Sequence, residues 1–93
     1  ADDITISVNE AEKLSASIFP NPNNGEALQI RFEEFSDYEI NIFDVSGKKL
    51  KSYSYNAVQN VELELALNNG IYLVEINDVL NAKRMTERVT IAK

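Results

Sequence analysis

An all-β fold, an antiparallel sandwich of about seven short strands, is what this sequence predicts, and three observations carry that reading. Apolar residues recur at every second position through most of the chain. Turn-forming residues interrupt those runs at short intervals. Finally, Phe19-Pro20-Asn21-Pro22-Asn23-Asn24-Gly25 stands just before the first strongly alternating segment. Its proline rings fix φ and remove N–H donors, so neither a helix nor a central strand can pass through.

The elements follow in order. Ile4–Val8 is a first edge strand or part of a linker spanning 1–14, and Val8–Leu14 is the one stretch with helical character. The domain proper runs over 15–93, beginning with a strand at Ser15–Phe19. In Ala27–Phe32, Leu28, Ile30 and Phe32 alternate with Gln29 and Arg31. In Tyr38–Asp44, Tyr38, Ile40 and Ile42 alternate with Glu39 and Asn41, after which Phe43 and Val45 shift the apolar character to the other parity. Such a switch indicates a bulge or burial on both faces. Lys49–Tyr55 and Val61–Ala66 come next, the latter alternating Val61, Leu63 and Leu65 with Glu62 and Glu64. Gly70–Asn77 carries Tyr72, Val74 and Ile76 on one face and Ile71 and Leu73 on the other, the pattern of a central strand. Met85–Ala92 closes the set. Asp44-Val45-Ser46-Gly47, Asn68-Asn69-Gly70 and Asn77-Asp78 supply the turns. The arrangement is Ig-like.

Composition limits the functions open to the chain. With 93 residues it forms one small domain. The 9 basic and 15 acidic residues give a net charge of −6, a surface that repels phosphate backbones and argues against nucleic-acid binding. No cysteine is present, which excludes disulfides, thiol catalysis and Cys-bound zinc. Histidine is absent too, removing the usual general base and metal ligand. No apolar run is long enough to span a bilayer. The chain opens at Ala1 without a signal peptide and reads as a piece of a longer protein.

No catalytic constellation emerges. Glu62 and Glu64 share a strand face at about 7 Å, but they alternate with leucines and read as a solvent face. Asp2, Asp3, Asn21, Asn23, Asn24 and Asp44 offer oxygen ligands without forming a calcium loop. Gly25, Gly47 and Gly70 fall in separate turns and build no phosphate cradle. No cofactor or metal is expected. Tyr53 and Tyr55 share a face, either as a stacking platform for a sugar or as half-buried rim residues. Charge is uneven: residues 1–82 carry 5 basic and 14 acidic side chains (net −9), while 83–93 carry Lys83, Arg84, Arg88 and Lys93 against Glu87 (net +3). A basic final strand protects an edge against pairing or presents a docking face.

Four motifs together resemble the C-terminal sorting domain of cargo of the type IX (Por) secretion system of Bacteroidetes. Ile18-Phe19-Pro20-Asn21-Pro22 looks like the family's (Y/F)PNP start. Ile40–Lys48, with Asp44, Gly47 and Lys48, is similar to its strand–Asp–x–x–Gly–Lys hairpin. Leu65–Ile76, with Gly70 and Tyr72, resembles its Gly-x-Tyr strand, and Arg88–Lys93 its basic apolar terminal strand. The resemblance covers about residues 15–93, with Phe19 where Tyr is commoner.

It implies a non-catalytic secretion signal that directs an upstream passenger through the outer-membrane translocon to the cell surface or medium, with removal by a surface sortase. The family motif positions Phe19, Pro20, Asn21, Pro22, Asp44, Gly47, Lys48, Gly70 and Tyr72 are then mainly structural. Translocon recognition falls to Lys83, Arg84, Arg88, Val89, Ile91 and Lys93. Edge strands make a weak homodimer possible. The alternative is an Ig-like accessory module binding carbohydrate or protein.

Overall fold

The computed structural model describes residues 14–25 and 27–93. The strand expected at Ile4–Val8 lies outside them, as does the helix expected at Val8–Leu14 apart from Leu14, which is irregular. The described residues form five strands and no helix: β1 (Ala16–Phe19), β2 (Leu28–Asp44), β3 (Lys49–Leu63), β4 (Gly70–Asp78) and β5 (Lys83–Ile91). Every pairing between strands is antiparallel.

The strands are fewer and longer than expected. Ala27–Phe32, from Leu28 on, and Tyr38–Asp44 are the two halves of β2, and Lys49–Tyr55 joins the first half of Val61–Ala66, Val61–Leu63, in β3. The polar stretch between each pair of halves is a bulge inside a continuous strand. Arg31 faces Asn60 and Ser36 faces Val58, so β2 runs ahead of β3; between Ser36 and Tyr38 the shift reverses, with Ala57 at φ 53°. Extra residues bend a strand without ending it. Phe35 rides out on this bend, 70% exposed.

β2 organises the sheet. Its first half lies between β1 and β3, its second between β4 and β3, and β5 extends the sheet beyond β4. The bend curls this single sheet into a half-barrel, in place of the separate layers of a sandwich. Even-numbered β2 residues point inward on both sides of the bend, so Leu28, Ile30, Phe32, Tyr38, Ile40 and Ile42 all join the core. Ile18, Val61, Leu63, Val74, Ile76, Val89 and Ile91 complete it from the other strands, with Leu65 from the segment after β3. Each fully buried aliphatic side chain contributes about 1.5–3 kcal/mol. At the bend, the Phe32 and Tyr38 rings stack with centroids 3.6 Å apart.

The outer face is polar at its middle. Ser52 Oγ donates to Asn41 Oδ1 (2.8 Å) and Asn41 Nδ2 donates to Glu75 Oε1 (3.0 Å), with Arg84 3.7 Å from Glu75 Oε2. This chain of contacts ties β3, β2, β4 and β5 together across the convex side. Tyr53 and Tyr55 stack on the inner side of β3 at 6.4 Å and pack half-buried against the core, so the rim reading of this pair holds.

Candidate recognition surface

The double-proline segment closes the half-barrel by capping the last strand. Both X-Pro bonds, Phe19-Pro20 and Asn21-Pro22, are cis. Asn21 acts as a substitute peptide unit: its Nδ2 donates to Arg88 O (3.0 Å) and its Oδ1 accepts from Thr90 N (3.3 Å). Asn23 continues with its backbone, donating to Thr90 O (2.7 Å) and accepting from Ala92 N (2.8 Å). Arg88, Thr90 and Ala92 are the residues whose backbone groups face away from β4, so this clamp satisfies the outer edge of the terminal segment. A buried or half-buried strand edge left open carries unpaired polar groups, which is costly.

Asn23 is fully buried, and its Oδ1 accepts from Gly25 N (2.8 Å), turning the chain. Its Nδ2 has no partner among the described residues. Gly25, at φ +95°, lies against the stem of Lys93, whose carbons would come within 3.1 Å of an added Cβ. Lys93 N donates to Asn69 Oδ1 (3.0 Å), tying the end of the chain to the loop before β4.

The other motifs are turn and corner devices. Asp44 Oδ1 accepts from Ser46 N (2.9 Å), Ser46 Oγ (2.6 Å) and Lys48 N (3.0 Å), while Gly47 takes φ +92°. This is a three-residue hairpin loop with the left-handed position given to glycine. Tyr72 OH donates to Asn68 O (2.8 Å), and Tyr38 OH makes the same step back to Glu34 O (2.7 Å). Tyr72 thereby pins the approach to β4, the arrangement of a tyrosine corner, while Tyr38 ties the bend within β2. Gly70 lies under the Tyr72 ring.

The cations expected to act together are dispersed. Arg84 and Arg88 are exposed on the outer face of β5. Lys83 lines a small cleft with Glu33, Glu34, Tyr38 and Asp78, and Lys93 lies at Gly25 and Asn69. Val89 and Ile91 point into the core at 0% and 2% exposure. The terminal strand is therefore not the open edge that its sequence suggests. Among the described residues no group of three or more acidic side chains is disposed to hold a metal.

Sequence reasoning missed Ser36 and Asp78, an interacting pair at the bend. Asp78 is buried; it accepts from Ser36 Oγ (2.5 Å), from Asn81 N (3.2 Å) and from Asn81 Nδ2 (2.9 Å). Burial pushes its carboxyl up, but the hydrogen bonds from Ser36, Asn81 and the Leu80 backbone outweigh burial and hold it below the usual range. For Asp44, the Ser46 hydroxyl and then the Lys48 backbone act in the same direction. A carboxyl depressed in the folded state stabilises the fold above its unfolded pKa, and that contribution disappears as pH falls through the folded value. Stability should therefore decline below about pH 4. Asp78→Asn should be less stable than the parent at pH 7, with the gap narrowing at about pH 2.5 in urea titrations. A gap of constant size would show that the Asp78 charge contributes nothing.

This small curled sheet spends its sequence motifs on turns, corners and an end clamp. The sequence profile of the secretion system C-terminal sorting domain matches residues 17–92, and the chain belongs to that family. It is a type IX secretion signal, and its passenger is exported to the cell surface or the medium. The family is a secretion-signal domain rather than a known catalytic one. No curated protein matches the chain.

Proposed function

We propose that the type IX machinery reads this domain through side chains on the outer face of its last hairpin, with Arg84 and Arg88 as the principal cationic contacts. The observation that carries this reading is the clamp. With Arg88 O, Thr90 N and O, and Ala92 N already bonded to Asn21 and Asn23, the backbone edge near the terminus is occupied. The exposed side chains of β5 are what remains for a partner. Val89 and Ile91 then act by holding β5 in place, and Lys83 and Lys93 contribute charge from either end of the strand.

In this reading 15–93 is the folded label and 1–14 the connection to an upstream passenger, with a cell-surface sortase removing the label after transit. The outer edge of β3, which pairs only with β2 among the described residues, supports a weak homodimer.

The test is the double variant Arg84→Glu/Arg88→Glu, fused to a periplasmic reporter in a Bacteroidetes host. Arg84 makes one long, largely exposed ion pair with Glu75, so folding should change by under about 1 kcal/mol. Reporter should accumulate in the periplasm. Normal secretion of the folded double variant would remove the arginines from the recognition surface.

A further inference from the structure

We infer that the apolar patch on the outer face at the β2–β3 hairpin end is a docking face for a protein of the export machinery, one with an apolar centre flanked by carboxylates. The inference rests on the sorting function and names the chemistry of the partner that such a label must meet. Phe43 and Leu73 are register partners between β2 and β4, and Ile71 lies two residues from Leu73 on the same face. Leu50 sits at the bulge opposite Phe43, and Val45 tops the adjoining turn. None of these side chains belongs to the core or packs against it. Ile71 is 43% exposed and Val45 74%. A strand that is apolar on both faces is expected between two layers, yet among the described residues no second layer lies over this one.

The flanks define the partner. Arg88 is the register partner of Leu73 on the β5 side, and Lys49 that of Phe43 on the β3 side, with Lys48 beside it. All three cations are exposed. A chain of net charge −6 thus sets its local positive charge on two sides of an apolar strip. A protein surface can meet both flanks with carboxylates and the strip with apolar side chains. An anionic bilayer would be opposed by the charge of the whole chain. Arg88 belongs both to this rim and to the arginine face of β5, so the two surfaces are continuous.

Val45→Ser and Ile71→Thr test the patch, the first at a turn tip outside the core and the second keeping a β-branched residue in the strand. Val79→Ser/Leu80→Ser, 60% and 67% exposed in the β4–β5 turn, is the control at the far end of the hairpin. Residues 1–93 carrying each change are fused to the periplasmic reporter, and urea melts confirm folding. Each patch variant should reduce the exported fraction by about tenfold, the loss typical of an interface anchor, while the control exports normally. Normal export of both patch variants overturns the inference, as does equal loss in the control. A parent fusion that stays in the periplasm refutes the sorting function itself. Flotation of the parent with phosphatidylglycerol vesicles, lost in the variants, would make lipid the occupant and overturn the inference. So would a parent dimer in sedimentation that the variants abolish.

Discussion

Shortening Tyr38 to alanine is expected to remove about 3–5 kcal/mol of folding stability, a large share of the roughly 5–14 kcal/mol available to a domain of this length. The side chain is 2% exposed, stacks on Phe32 at 3.6 Å and stands where β2 regains its register with β3 after the bend. Alanine would empty the space beneath the bend and leave Phe32 without its neighbour. Tyr38→Phe keeps the ring and loses only the hydroxyl bond to Glu34 O, so about 0.5–1.5 kcal/mol is expected. Urea titration of both variants separates ring from hydroxyl. An alanine variant within about 1 kcal/mol of the parent would mean that the bend is held elsewhere, below the cost of a buried aromatic truncation. The hydroxyl also gives an alkaline signature. Burial first, then the Asp78, Glu34 and Glu33 carboxylates, push the phenol up to about 12. A pKa raised in the folded state stabilises fully below the unfolded value near 10 and is lost as pH rises toward the folded one. Tyr38→Phe should flatten that alkaline limb.

Period-two alternation revealed the inward face correctly: every residue of Leu28, Ile30, Phe32, Tyr38, Ile40 and Ile42 is buried. What alternation could not reveal was continuity. Glu33–Asp37 and Asn56–Asn60 read as loops because they are polar and break the pattern, yet both lie inside strands. Left-handed residues usually betray such breaks when they are glycine or asparagine. Here Ala57, Ala66 and Ala82 take positive φ, and alanine carries no such signal. The turn at Asp44 was legible because its hydrogen bonds are local. The clamp was not: Asn21 meets Arg88 and Thr90 across 67 and 69 residues, a contact no spacing rule anticipates. The same limit hid the Ser36–Asp78 pair, 42 residues apart. The second apolar face of β4 was visible in Ile71 and Leu73, but it read as burial. Only the sheet order reveals that, among the described residues, no further strand lies over it.

Deleting Val89–Lys93 is expected to abolish the cooperative unfolding transition and export together. Val89 and Ile91 are both buried, each worth about 1.5–3 kcal/mol. Their removal also takes the ladder that pairs Gly70, Ile71 and Tyr72 with β5, and with Thr90 and Ala92 gone the Asn21 Oδ1 and the Asn23 backbone lose their partners on the terminal strand. Lost export after this deletion therefore reports an unfolded label as readily as a missing contact, which makes the graded variant the more telling one. Asn21→Ala removes the bonds to Arg88 O and Thr90 N, for about 1–3 kcal/mol in all, and spares the core. Hydrogen exchange should quicken at Thr90 while Ile40 and Ile42 in β2 stay protected. If Thr90 stays protected and the melting temperature is unchanged, the double-proline segment does not hold the terminal strand. If Thr90 opens while export persists, the machinery tolerates a loosened edge and reads the side chains of β5 instead. That second outcome is the one expected if recognition runs through Arg88 and the face it shares with Leu73, because neither depends on the Asn21 bonds for its position against β4.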